Sequence, residues 1–136
     1  MEAVLKTSSM LIIHEKGGCQ VIVGKIWEDS EEERPKEIIL INEDQTESVA
    51  LGYVSVDSGQ STHTGFHNDE EEIYVILKGG AVLMIGDEKK EVGPGSVAYI
   101  PRNHKHKMTS VTEEKLEYLY FANKPGKAIK DEKIQY

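Results

Sequence analysis

The sequence has a single cysteine, Cys19, among its 136 residues. One cysteine cannot form an intramolecular disulfide, which agrees with a reducing compartment. Its neighbours Gly17, Gly18 and Gln20 supply no general base, so we do not expect a reactive thiol. The cysteine content therefore argues against both a disulfide scaffold and a cysteine nucleophile.

Long apolar runs are also missing, since no stretch approaches the ~20 residues that a membrane-spanning helix needs. The apolar piece near the N-terminus is short, and no small-residue cleavage pattern follows it, unlike a secretory signal. A transmembrane protein is excluded on this pattern, no membrane partner is expected, and the predicted location is the cytoplasm.

Basic residues are scarce relative to acidic ones, with 16 Lys and Arg against 24 Asp and Glu and a net charge of -8. An acidic surface repels phosphate backbones, so nucleic acid is not an expected partner. The basic stretch 102–107 is an exception that would suit an anionic substrate, although solvated surface lysines explain it more simply.

Helical periodicity is rare, whereas short runs of β-branched and aromatic residues recur between Gly, Pro, Asn and Asp. This pattern predicts an all-β sandwich, barrel or jelly roll. The tight turn at residues 78–80, a lysine and two glycines, predicts that strands 72–77 and 81–85 form a hairpin. The predicted strands cover residues 10–14, 20–27, 37–42, 49–57, 72–77, 81–85, 89–92, 96–100, 105–111 and 116–122.

The length fits one domain over residues 1–136, with enough chain to bury a core. We place that core at about 37–122, preceded by N-terminal strands within 10–27 and followed by a lysine-rich tail, 123–136. The stretch 28–36 reads as a charged, proline-broken loop.

Four histidines fall in two pairs, His63 with His67 and His104 with His106, and the first pair precedes the acidic run 69–72. Imidazole and carboxylate at the entrance of a strand are typical of a divalent metal site. A turn after His67 would bring it to Glu72, and His106 begins another strand. We expect two imidazoles and one carboxylate around one metal, with the other three acids of 69–72 solvated.

These residues resemble the cupin superfamily, whose first motif is G-x5-H-x-H-x(3,4)-E-x6-G. Gly59, His67, Glu72 and Gly79 stand at its positions, but Gly65 stands where the first histidine belongs. A second, looser motif has a proline–glycine turn, an Ile-Pro pair and a later histidine, matched here by residues 94–95, 100–101 and 106, with serine in place of the closing asparagine at 110.

The resemblance implies a cupin-type jelly roll or small β-barrel of two antiparallel sheets, with one divalent ion, Fe, Mn, Zn or Ni, inside it. The implied ligands are His67, Glu72 and His106, and His63 joins them if Gly65 allows the chain to bend inward. His104 is expected at the cavity mouth.

The predicted barrel interior includes the side chains of Tyr53, Tyr74, Tyr99 and Met108. Most of them are expected to be core packing. Tyr74, two residues after Glu72 on the same strand face, is our first candidate for a catalytic acid or substrate-orienting group, and Glu72 is the second catalytic candidate.

Function is less specified than fold, because similar cupins differ widely in activity. The leading hypothesis is a metal-dependent enzyme on a small polar metabolite, a dioxygenase with iron or an isomerase, epimerase or lyase with another metal. One alternative is a non-catalytic cupin that binds a sugar or organic acid. The other is a storage or structural cupin with an empty barrel. A homodimer is expected, through the apolar strand at 10–13 or the apolar surface of 116–122.

Overall fold

The computed structural model describes residues 10–14, 20–26 and 37–125, and their regular structure is nearly all strand. The predicted loop 28–36, the end of the second predicted strand and most of the lysine-rich tail lie outside these ranges. The strands are β1 (Met10–His14), β2 (Gln20–Gly24), β3 (Glu37–Ile41), β4 (Val49–Val56), β5 (Glu71–Lys78), β6 (Ala81–Ile85), β7 (Glu88–Val92), β8 (Val97–Ile100), β9 (His106–Ser110) and β10 (Leu116–Asn123).

The strands form antiparallel sheets of five, three and two members. The larger sheet has the order β3-β4-β10-β5-β8, the second has β7-β6-β9, and β1 pairs only with β2. The all-β, two-sheet architecture expected for a cupin jelly roll is therefore confirmed, although the sheets do not close into a continuous barrel.

The core lies between the five-stranded and three-stranded sheets. Alternate residues of each strand point inward, as the period of two requires. The cluster joins Ile76, Ile100 and Leu116 of the larger sheet to Leu83 and Met108 of the smaller one, all almost fully buried. Each such side chain contributes about 1.5–3 kcal/mol on burial, so this contact is the main force holding the two sheets together.

The opposite face of the larger sheet is partly covered as well. Ile38, Leu40 and Tyr53 form a second buried cluster there, and the Tyr53 hydroxyl donates to Glu117 Oε1 at 2.6 Å. Tyr53 therefore lies outside the space between the sheets, and its predicted interior position is wrong. The strand at Tyr53 is predicted correctly, but the face on which Tyr53 lies is not. Alternation cannot decide this, because apolar residues occur on both faces of the strand.

The turn at Gly79 is sharp and needs glycine. Its φ is 74°, and a Cβ added there would lie 2.6 Å from the Lys115 carbonyl oxygen. The predicted hairpin is wrong, however, because β5 pairs with β10 and β8 while β6 pairs with β7 and β9. The turn carries the chain from one sheet to the other instead of folding it back on itself.

The segment between β4 and β5 runs beside β9 without forming a regular strand. Isolated bridges join Ser61 to Thr109 and Gly65 to His106. This segment brings His67 to the entrance of β5, next to the first residue of β9. Among the described residues no helix has the length and apolar character needed to span a membrane.

Candidate metal centre

Three side chains from separate parts of the chain meet at one end of the space between the sheets. His67 ends the irregular segment, Glu72 is the second residue of β5, and His106 is the first residue of β9. One ligand atom from each lies within 4.8 Å of the others. Nε2 of His67 is 3.7 Å from Glu72 Oε2, and Nε2 of His106 is 3.8 Å from Glu72 Oε1.

Glu72 is the most constrained member of this group. It is 7% exposed, and its Oε1 atom has no hydrogen-bond partner among the described residues. Burial, and then the neighbouring Glu70 carboxyl, raise the pKa of Glu72 to about 8. A buried carboxyl oxygen without a partner is costly, so a cation between Glu72 and the two imidazoles would satisfy it.

His106 has the tautomer and orientation of a metal ligand. Its Nδ1 lies 3.1 Å from the His104 carbonyl oxygen, which can only accept, so Nδ1 carries the proton and Nε2 keeps a lone pair directed at the site. Burial is the main cause that lowers the pKa of His106, so the ring stays neutral at pH 7. Neutral imidazole is the form that binds a metal.

Gly65 determines the space that the His106 ring can use. The backbone N–H groups of Gly65 and His106 donate to each other's carbonyl oxygens at 2.8 and 3.0 Å. A Cβ added to Gly65 would lie 2.6 Å from His106 Nε2. A histidine at the first motif position is therefore incompatible with this placement of His106, and the departure from the motif has a structural reason.

The structure does not bring His63 or the His104 side chain into this group. His63 is exposed and lines the cavity wall, because the backbone pairing at Gly65 keeps the chain alongside β9 instead of bending it inward. The His104 ring is exposed and bonds the Arg102 carbonyl oxygen. His104 acts on the site only through its backbone carbonyl.

Glu70 belongs to the site, whereas the sequence predicts that it is exposed to solvent. It is 9% exposed, and its Oε2 atom is 3.6 Å from His67 Nε2. Lys124, just after β10, reaches it from the other side, with Nζ 3.5 Å from Glu70 Oε1. The acidic run 69–72 alone does not predict this position, because contacts of Glu70 with residues distant in sequence, such as Lys124, cannot be read from the local pattern.

Tyr74 lies beside the triad as predicted, on the same face of β5 as Glu72. Its ring meets that of His106 edge to face, with centroids 6.4 Å apart. Burial raises the pKa of Tyr74, so its hydroxyl keeps its proton at neutral pH. Tyr99 was expected nearby but is 56% exposed on the outer face, where it donates to Glu71, whereas Met108 is buried in the core.

A cavity of about 720 Å³ opens from the triad between the sheets. This volume is within the range of small-molecule sites. The wall includes His67, Glu72 and His106, and continues over Tyr74 and Tyr120 toward β3. A ligand in the cavity would therefore contact the three candidate metal ligands directly.

A family model described as Cupin domain matches residues 52–121, which include both histidines and the glutamate of the triad. The chain belongs to the cupin family. An uncharacterized protein of Methanocaldococcus jannaschii is 36% identical over 73 residues, which are 54% of this cupin and 57% of that protein. This cupin spans 57–63% of the length of the curated relatives it matches.

Solved structures share the fold. A predicted oxalate decarboxylase from Thermotoga maritima superposes with a TM-score of 0.61 at 20% identity, covering 65% of this cupin and 78% of that chain. The polyketide cyclase RemF from Streptomyces resistomycificus superposes with a TM-score of 0.56 at 27% identity, covering 64% of this cupin and 63% of that chain. The donor set, the unpartnered Glu72 oxygen and the neutral His106 fit one divalent metal in this cupin, without identifying it.

Proposed function

We propose that this cupin is a metal-dependent enzyme that acts on a small polar metabolite in the cavity between its sheets. The observation that carries the proposal is the convergence of His67, Glu72 and His106 around the unpartnered Glu72 oxygen. Two imidazoles and one carboxylate suit Fe, Mn, Zn or Ni, and they leave coordination positions open. The reaction would be oxygenation with iron, or isomerisation, epimerisation or elimination with another metal.

Two of the proteins that share the fold have enzymatic names, so this fold can carry catalysis. The predicted oxalate decarboxylase and the polyketide cyclase are both enzymes by name, and both share the fold. Neither likeness defines the substrate, because the same fold supports many activities. The site itself must therefore supply the argument for chemistry.

When bound, the metal supplies a Lewis acid that polarises a substrate oxygen. The surrounding residues provide the other functions of a catalytic site. Tyr74 presents a protonated hydroxyl, which can donate to a substrate oxygen and fix its orientation. Glu70 places a second carboxyl next to His67, within reach of a polar group on the substrate.

Metal content and affinity test the proposal. Protein purified without added metal would be analysed by mass spectrometry, and Mn²⁺ binding to the stripped protein would be measured by calorimetry. We expect about one ion per chain, with His67→Ala, Glu72→Gln and His106→Ala each losing at least tenfold in affinity, since each removes a direct ligand. A chain that binds no divalent metal would refute the proposal.

His63→Ala is the matched control, because it also removes a histidine from the cavity wall. We expect it to retain Mn²⁺ affinity, since His63 lies outside the group of three. A loss as large as that of His106→Ala would instead make His63 a ligand, as the sequence motif allowed. Oxygen uptake by the Fe²⁺-loaded protein against a panel of diols, keto acids and sugars would then separate oxygenase from non-redox chemistry.

A further inference from the structure

The cavity wall carries far more acidic than basic groups. Of the described residues that line it, six are carboxylic acids and none is lysine or arginine; the acids are Glu37, Glu43, Asp44, Asp57, Glu70 and Glu72. Lysines outside the wall compensate part of this charge. Lys124 contacts both Glu43 and Glu70, at 2.8 and 3.5 Å, and Lys115 lies 3.5 Å from Asp57. Glu37 has no such partner among the described residues.

Glu37 is an exposed residue of β3 in the cavity wall, and we call the part of the wall formed by Glu37, Ile39 and Tyr120 the Glu37 end. An aromatic side chain from another strand holds Glu37 in position. Tyr120 of β10 extends across Gly52 of β4, where an added Cβ would overlap the ring. The Tyr120 hydroxyl then donates to Glu37 Oε2 at 2.6 Å. Glu37 Oε1 has no hydrogen-bond partner among the described residues, and Ile39 beside it on β3 is 47% exposed in the cavity.

The triad lines another part of the same cavity, the triad end, where a buried acceptor needs a cation or a hydrogen-bond donor. There the buried Glu72 leaves Oε1 unpartnered. The two ends differ in their chemistry, since the triad can hold a metal that takes substrate oxygens, whereas the Glu37 end has one carboxylate, one aromatic ring and an apolar side chain. The wall between them includes the apolar side chains of Val54 and Ala122.

We infer that the Glu37 end binds a protonated amine, so that the ligand is a small molecule with an oxygen group at the triad and an ammonium group at Glu37. This inference rests on the proposed function and names the substrate class of the same site. An ammonium group donates to the carboxylate in a charge-assisted hydrogen bond and is attracted to the face of the Tyr120 ring. A carboxylate ligand would instead meet like charge without a basic side chain to pair with.

Matched series of small molecules test this assignment. Linear amino alcohols of two to six carbons would be compared with the diols and hydroxy acids of the same length, by calorimetry, with and without Mn²⁺ bound. We expect an amino alcohol to bind at least about tenfold more tightly than its diol, as one charge-assisted hydrogen bond implies, and the hydroxy acid to bind most weakly.

Two variants test whether Glu37 causes the preference for amines over diols. Glu37→Gln keeps the shape of the side chain and removes its charge, and we expect the ratio between amine and diol to fall to about one. Tyr120→Phe removes the hydroxyl that holds Glu37, and should reduce the ratio to a smaller extent. Glu91→Gln is the control, because Glu91 is an exposed acid of β7 outside the cavity wall, and it should retain the wild-type ratio.

The assignment is overturned if diols or hydroxy acids bind as tightly as the amines, if no amine in the series binds, or if the preference survives in Glu37→Gln. Its failure is distinguishable from that of the proposed function. Mn²⁺ binding without an amine preference refutes the assignment alone. An amine preference that depends on Glu37 in a protein that binds no metal refutes the proposed enzyme and leaves the assignment standing.

Discussion

Replacing Gly65 with alanine should disable the metal centre without touching a ligand. The added Cβ would lie 2.6 Å from His106 Nε2, whereas ordinary van der Waals contact begins at 3.4 Å. The imidazole must therefore move by about 0.8 Å, or the paired backbone must separate. A metal–ligand distance tolerates a deviation of only about 0.2 Å, so the displaced imidazole would no longer lie at bonding distance from the metal.

The expected loss can be bounded from the way His106 is held. Its Nδ1 would keep the hydrogen bond to the His104 carbonyl oxygen, so the ring would be displaced within the site but would stay in it. Changes that misorient a ligand typically cost 10–100-fold in metal affinity, which is about 1.4–2.7 kcal/mol at 25 °C. Gly65→Ala should therefore weaken Mn²⁺ binding by that factor, measured by calorimetry on the stripped protein.

The control is Gly93→Ala. Neither Gly65 nor Gly93 has a positive φ, so alanine fits the backbone at both positions, but a Cβ at Gly93 meets nothing within 4 Å. Gly93→Ala should keep wild-type Mn²⁺ affinity. If Gly65→Ala binds Mn²⁺ as tightly as the control, His106 is not a ligand through Nε2 in this position, and the reasoning is refuted.

Three further predictions concern the acids and the outer surface. Glu70→Gln should lower the pKa of Glu72, because Glu70 raises it, and an unchanged carbon-13 NMR titration of Glu72 would contradict this. Since the folded pKa of Glu72, about 8, exceeds its ordinary value of 4.5, its stabilising contribution is complete below pH 4.5 and is lost as the pH rises through 8. In thermal unfolding of the metal-free protein, the wild type should therefore lose stability relative to Glu72→Gln between pH 4.5 and about 8. Parallel stability curves for the two proteins would disprove this. The homodimer expected from the sequence should appear as a dimer mass in light scattering. Phe121→Asp, on the apolar outer face of the larger sheet, should convert it to monomer, while Val111→Asp, at an exposed apolar residue elsewhere, should not. A monomeric wild type would refute the prediction.

Much of the fold was predictable because local patterns and tertiary structure agree. The stretch 81–85 forms β6 with the predicted bounds, and the glycines at 79 and 86 have the positive φ that a tight turn requires. The partner of β6 was not predictable, because a turn of two glycines can close a hairpin or cross between sheets. The choice is made by tertiary pairing, since β5 pairs with β10 and β8 and β6 with β7 and β9.

The three candidate metal ligands were predictable, because motif spacing in the sequence identifies them. His67, Glu72 and His106 stand at motif positions, and the structure brings their ligand atoms together. The burial of Glu70 could not be predicted, since its contacts include Lys124, which is distant in sequence. Tyr99 was placed inside because both faces of its strand are apolar, and alternation cannot tell which face meets the core.

The most direct test of the metal centre is anomalous diffraction from crystals of the protein soaked in Mn²⁺. We predict one strong peak bonded to His67 Nε2, a Glu72 carboxylate oxygen and His106 Nε2, at about 2.0–2.3 Å from each. A peak confined to the Glu37 end of the cavity would contradict the account, as would no peak in a crystal of protein that is saturated with Mn²⁺ in solution.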